Sequence, residues 1–217
     1  SRNNRCPRCQ SVSRSFCSSM AKSLRIGILA STNGTILPAI FASELSEVDF
    51  VVLVTDHPGC GAVAKAQAAQ LPVVELPSAG KTRPEWDAAC VETLQEYAVD
   101  LVILVGFMRI LSPVFVRAFP GRILNVHPSL LPRHAGQAGD AVHTAVLAAG
   151  DTETGATVHL VTETVDAGPI IAQASTPVHP QDTTQTLKQR VQGLEAELYP
   201  QAISTIRDHL KESGAAS

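Results

Sequence analysis

Residues 24–54, LRIGILASTNGTILPAIFASELSEVDFVVLV, decide the fold. The run 24–30 is apolar and ends in Ser31-Thr-Asn-Gly34. A helical stretch follows over about 35–45, and 48–54 is a second apolar run. Neither run alternates apolar with polar residues, and both are rich in β-branched side chains. Each therefore predicts a strand covered on both faces. Strand, tight turn, helix and buried strand form the unit from which parallel sheets are built.

The same alternation continues along the chain. A turn at His57-Pro-Gly59 leads into an Ala-rich helix over 61–70, a short strand at 72–76 and a helix over 84–97 that opens on proline. Strands follow at 101–105 and 121–126. This pattern predicts a doubly wound, mostly parallel α/β sheet. Beyond about residue 148 it changes. Strands at 155–162 and 170–178 flank a loop containing Asp166-Ala-Gly168, which predicts a late antiparallel addition, and 183–211 makes one or two closing helices. The expected organisation is one domain over 24–211, a leader outside the fold at 1–23 and a frayed tail at 212–217.

The 217 residues are 45% hydrophobic and 17% charged, which suits a globular core and excludes a disordered chain. The net charge of −3 provides no basic field for a nucleic-acid backbone, so no nucleic-acid partner is expected. No run of about 18 apolar residues occurs, so no spanning helix and no membrane partner are expected. The leader is Arg- and Ser-rich without an apolar stretch, unlike a secretory signal. Five cysteines, three of them in the leader, argue against a disulfide framework and for a cytoplasmic location. Cys6 and Cys9 have metal-ligand spacing, but a zinc site would need Cys17 and a distant histidine to complete it, so no metal is expected.

In open parallel sheets, ligands bind beyond the carboxyl ends of the strands. The first strand exits at Ser31-Thr-Asn-Gly-Thr35, where free backbone N–H groups favour an anion; an ordinary capped turn is the alternative. The fourth exits at Gly106-Phe-Met-Arg-Ile-Leu-Ser112, whose apolar residues read from pattern alone as core rather than as a ligand slot. The fifth exits at Asn125-Val-His127-Pro-Ser-Leu-Leu-Pro132. Asn125 and His127 are two apart and leave the same face. An amide beside an imidazole can stabilise a developing oxyanion and move a proton. A carboxylate such as Asp166 would orient the imidazole and raise its pKa. Spacing alone does not bring the two together. His143 and His159 read as structural or supporting residues, and Cys60 and Cys90 as small buried hydrophobes.

GFMRILS at 106–112, NVHPSLLP at 125–132 and VDAGPIIAQ at 165–173 together resemble the phosphoribosylglycinamide formyltransferases, within the folate-dependent formyltransferases. The resemblance runs over about 24–210. It implies formyl transfer from 10-formyltetrahydrofolate, as co-substrate, to the amine of glycinamide ribonucleotide in purine biosynthesis. Asn125, His127 and Asp166 would be catalytic. Gly34, Thr35, Ile36, Gly106, Gln192 and Glu195 would hold the ribonucleotide. Arg83, Met108, Arg109, Ile110, Leu111, Asn125, Thr162, Glu163, Thr164, Val165 and Asp166 would hold the folate. The expected partners are these small molecules, with the chain a monomer or homodimer.

Three departures stand out from the family pattern. Thr32 stands where the first loop usually has glycine and Ile36 where it has a polar residue; the segment 133–139 is a few residues longer; and the Cys-rich leader has no counterpart. Related formyl-folate hydrolases carry an N-terminal regulatory domain, for which 23 residues are too few, and methionyl-tRNA formyltransferases a C-terminal tRNA-binding domain. A non-catalytic phosphate-binding module would not need the Asn125, His127 and Asp166 set. A dehydrogenase is disfavoured because GxGxxG is missing and Asp56 reads as part of a turn.

Overall fold

Apolar runs become strands wherever both faces can be covered. In the computed structural model, which describes residues 22–214, they form β1 (Leu24–Leu29), β2 (Val48–Thr55), β3 (Val73–Glu75), β4 (Leu101–Leu104), β5 (Ile123–His127), β6 (Glu153–Leu160) and β7 (Ile170–Pro177). They make one sheet in the order β3-β2-β1-β4-β5-β6-β7. Pairing is parallel from β3 through β5, and β6 and β7 add antiparallel. The chain winds outward from β1 to β3, then returns to β4 on the other side of β1. That reversal opens a crevice above the β1 and β4 ends.

The helices are α1 (Leu37–Ala42), α2 (Gly61–Ala68), α3 (Arg83–Glu96), α4 (Pro113–Ala118), α5 (Asp140–Ala148) and α6 (Thr184–Glu212). β4 shows why its run is continuous. Leu101 and Ile103 enter the core beneath α1 and α6, while Val102 and Leu104 enter the core beneath α3 and α4. All four are buried, each stabilising the fold by roughly 1.5–3 kcal/mol relative to exposure. Trp86 and Phe115 fill the second core. In the first, Tyr199 donates its hydroxyl to the Leu104 carbonyl, tying α6 to the end of β4.

Several boundaries differ from the sequence reading. The helix expected from about residue 35 begins at Leu37, because Gly34 adopts φ +55° and turns the chain first. The closing segment is one helix that runs through Pro200. Thr183 caps its start, its backbone and side chain exchanging hydrogen bonds with Thr186. Helix α4 was not anticipated. Cys90 is buried as expected and Cys60 partly so. The leader cysteines and residues 215–217 lie outside the described residues.

Candidate active site

The β5–β6 register builds the reactive corner. Asn125 pairs with His159, and His127 with Thr157. Thr157 donates its hydroxyl to the Ser129 carbonyl (2.6 Å) and accepts the Leu131 N–H (3.1 Å), fixing the segment just beyond His127. Asp166 arrives from the β6–β7 loop. The nearby Gly168 is required there, since a Cβ would stand 1.8 Å from the Leu160 carbonyl oxygen. Asp166 itself has φ +52°, a backbone state uncommon outside glycine.

The Asp166 carboxylate lies between two imidazoles. Its Oδ2 is 3.4 Å from His127 Nε2 and accepts the Gly136 N–H at 2.8 Å; its Oδ1 is 3.7 Å from His159 Nε2. His159 Nδ1 lies 3.0 Å from the Leu160 carbonyl and so carries the proton. Its Nε2 then accepts one Asn125 amide hydrogen at 3.2 Å, which leaves the other hydrogen of that amide available. His127 is ringed by oxygens. Nδ1 is 3.0 Å from Ser129 Oγ, whose own proton goes to the Arg133 carbonyl, and Nε2 is 3.1 Å from the Gln137 carbonyl.

Burial pulls the His127 pKa below its ordinary value of 6.5, and Asp166 and the Gln137 carbonyl push back only in part. Asp166 raises it, the direction expected from the sequence, but desolvation of the ring outweighs that rise. His143 is also buried and shifted down, and its Nδ1 has no hydrogen-bond partner. Glu195 is pushed up to about 7 by burial, against the opposing charge of Lys188.

One cavity of about 490 Å³ gathers most of the expected residues: Thr35, Gly106, Met108, Arg109, Ile110, Leu111, Asn125, His127, Thr162, Glu163, Thr164, Val165, Asp166, Gln192 and Glu195. A volume of this size suits a small-molecule site. The formyl transferase family profile matches residues 24–203. The chain belongs to the formyl transferase family.

Within that family, the phosphoribosylglycinamide formyltransferase of Escherichia coli is 38% identical over 189 residues, covering 85% of this chain and 88% of the relative. The trifunctional purine biosynthetic protein adenosine-3 of Gallus gallus is 39% identical over 198 residues; the match covers 89% of this chain but only 19% of that larger protein. Glycinamide ribonucleotide transformylase 1 from Symbiobacterium toebii superposes with a TM-score of 0.80 at 38% identity, covering 84% and 87% of the two chains.

Three expected residues of this formyl transferase lie elsewhere. Gly34 and Ile36 are buried beneath the cavity, with Ile36 in the core at the start of α1, so any ligand contact there falls to the backbone. Arg83 is exposed at the first turn of α3 and does not line the cavity; Trp86, one turn on, reaches the site region by lying under Arg109. Conversely, Phe107, Met108 and Leu111 read from pattern as core; Leu111 is buried in the second core and Phe107 packs against it, but Met108 is 53% exposed on the cavity wall. The segment 133–139, singled out in the sequence as longer than the family loop, brings Gly136, Gln137, Ala138 and Gly139 to the cavity, although none was named as a site residue; Lys188, which lines the cavity while bonded to Asp140 at 2.7 Å, was missed. Lys188, Gln192 and Glu195 lie four and then three residues apart on one helix, and that spacing was the signal available for Lys188. No helix among the described residues is long and apolar enough to cross a membrane.

Proposed function

We propose that the protein transfers the formyl group of 10-formyltetrahydrofolate to the amine of glycinamide ribonucleotide, as a soluble enzyme of purine biosynthesis in the cytoplasm. The observation that carries this reading is the meeting of Asn125 and His127, from the end of β5, with Asp166, from the β6–β7 loop, on one cavity of a formyl transferase.

The substrate amine attacks the formyl carbon, and the carbonyl oxygen gains negative charge. The free Asn125 N–H and the His127 Nε2–H donate to that oxygen. One such donor contributes about 10²–10³ in rate in other enzymes. The C–N bond to the folate then breaks, and the departing nitrogen takes a proton. Cationic His127 gives its Nε2 proton to the departing nitrogen and, then neutral at Nε2, takes up the proton that the attacking amine sheds, so the proton count closes within the site. The depressed pKa of His127 suits a relay, because a weakly basic imidazole gives up a proton readily. Asp166 orients the ring and steadies its cationic form.

The backbone at Gly34, Thr35 and Ile36 receives the ribonucleotide phosphate, with Gly106, Gln192 and Glu195 along its length. The folate lies against 108–111 and beneath 162–166. The test incubates the purified chain with formyl-folate, with and without glycinamide ribonucleotide. Deformylated folate should form only when the ribonucleotide is present. Formation without it would mean hydrolysis, and none in either case would mean a silent binder.

A further inference from the structure

Residues 107–112 form neither helix nor strand, so their backbone groups are not committed to a ladder. A segment that offers backbone groups to a ligand must be held from behind. At its far end, the Ser112 N–H donates to Asp87 Oδ2 at 2.6 Å, and Asp87 is fully buried. At its near end the anchor is Asp56, the residue that follows β2.

Asp56 reaches across the neighbouring strand ends. Its Oδ1 accepts the Ser31 hydroxyl at 2.6 Å, and the same Ser31 Oγ accepts the Met108 N–H at 3.1 Å. Its Oδ2 faces the Arg109 guanidinium at 4.0 Å. That guanidinium also lies 5.0 Å above the Trp86 ring, and its buried Nε has no hydrogen-bond partner. Ring face and carboxylate thus set the place of Arg109. Giving its proton to a carboxylate makes the Ser31 oxygen a better acceptor for Met108. The side chain of Asp56 is only 11% exposed. A charge so nearly buried needs partners, and the Ser31 hydroxyl and the Arg109 guanidinium are the ones within its reach.

We infer that Asp56 is a positioning residue for the folate co-substrate: it acts through Ser31 and Arg109 to fix the 108–111 backbone in its binding conformation. This rests on the reading that these residues face the folate. Asp56 and Ser31 need not touch either substrate, and the sequence reading of Asp56 as a turn residue missed the link.

Trp86 is the chain's single tryptophan, next to Phe107 at 5.8 Å, and its fluorescence reports on this segment. The experiment titrates the full chain with 10-formyltetrahydrofolate, without ribonucleotide, for the wild type, Asp56→Asn, Asp56→Ala, Ser31→Ala and the double variant. Steady-state KM and kcat are measured alongside. Asp56→Ala should weaken folate binding about tenfold, the scale of a lost charge-assisted hydrogen bond. The effect should appear in the folate KM more than in kcat or in the ribonucleotide KM. Asp56→Asn, which can still accept from Ser31, should recover part of the affinity. The double variant should bind no more weakly than Asp56→Ala, because the two changes cut one path.

Unchanged folate affinity in a folded Asp56→Ala overturns the proposal, as does a lowered Tm with affinity intact. Additive losses in the double variant remove the Ser31 path. If the wild type binds no formyl-folate, the functional reading itself fails, an outcome separate from equal binding by wild type and variants.

Discussion

The β5 exit and the β1 exit face the same cavity and are built in opposite ways. At the β5 exit, side chains are tied to one another: Asn125 to His159, His127 to Ser129 and the Gln137 carbonyl, Asp166 to Gly136. At the β1 exit, Thr32, Asn33 and Thr35 stand exposed on the cavity wall, while the apolar Ile36 turns into the core. The first corner is organised before any ligand arrives. The second leaves its polar groups to be completed by one. Preorganised donors act on the transition state, whereas groups satisfied by the ligand set its affinity. Substitutions in the two corners should therefore separate in their kinetics.

The largest effect is expected for His127→Ala. It removes both an oxyanion donor and the proton relay, so kcat should fall by at least about 10³ with the fold retained. Near-normal turnover would break the comparison at its stronger end. Asp166→Asn comes next. Removing the charge that opposes desolvation lets the His127 pKa fall further, so the pH–rate limb assigned to His127 should move to lower pH. A loss of about 10- to 100-fold in kcat should accompany it. An unmoved limb would show that Asp166 does not act on His127.

These residues were not equally legible beforehand. The buried strands and the mostly parallel class of the sheet followed from continuous apolar runs, because a strand covered on both faces has no polar side to interrupt it. Asn125 and His127 were legible because two-residue spacing at a strand end fixes their common face. That Asp166 meets His127 was not, since it depends on the Asn125–His159 register and on an unusual backbone state at Asp166 itself. Met108 shows a different limit: an apolar residue lining a cavity reads the same as one in a core. Arg83 is placed off the cavity for a related reason. Position in a motif set its level along the chain, but α3 presents Trp86 to the site region instead. The loop at 136–139 was visible as a segment of unusual length, but not which of its groups act, because its contribution is a main-chain N–H and a carbonyl.

At the ligand-completed corner the expected effect is smaller and of another kind. Thr35→Ala should raise the ribonucleotide KM about threefold and leave kcat nearly unchanged, as for loss of one solvent-accessible hydrogen bond. A fall in kcat with constant KM would mean that this loop also acts on the transition state, and the contrast between the corners would narrow.

The smallest effect is one of stability, at the Glu195 carboxyl on the same ligand-completed wall. Burial holds Glu195 near 7 when folded, against an ordinary 4.5, with only Lys188 opposing. Below pH 4.5 the group is neutral folded or unfolded, and nothing separates the two states. Between 4.5 and 7 the folded chain keeps a proton that the unfolded chain loses, so this group's contribution to stability declines as pH rises and is lost above 7. Glu195→Gln never carries the charge. Its Tm should therefore match the wild type at pH 4.5, exceed it increasingly up to pH 7 and hold a constant lead at pH 8. A pH-independent offset would mean that the substitution acts through packing instead. Added ribonucleotide should then shrink the lead at pH 8, because a ligand that pairs with the wild-type carboxylate stabilises only the chain that has one.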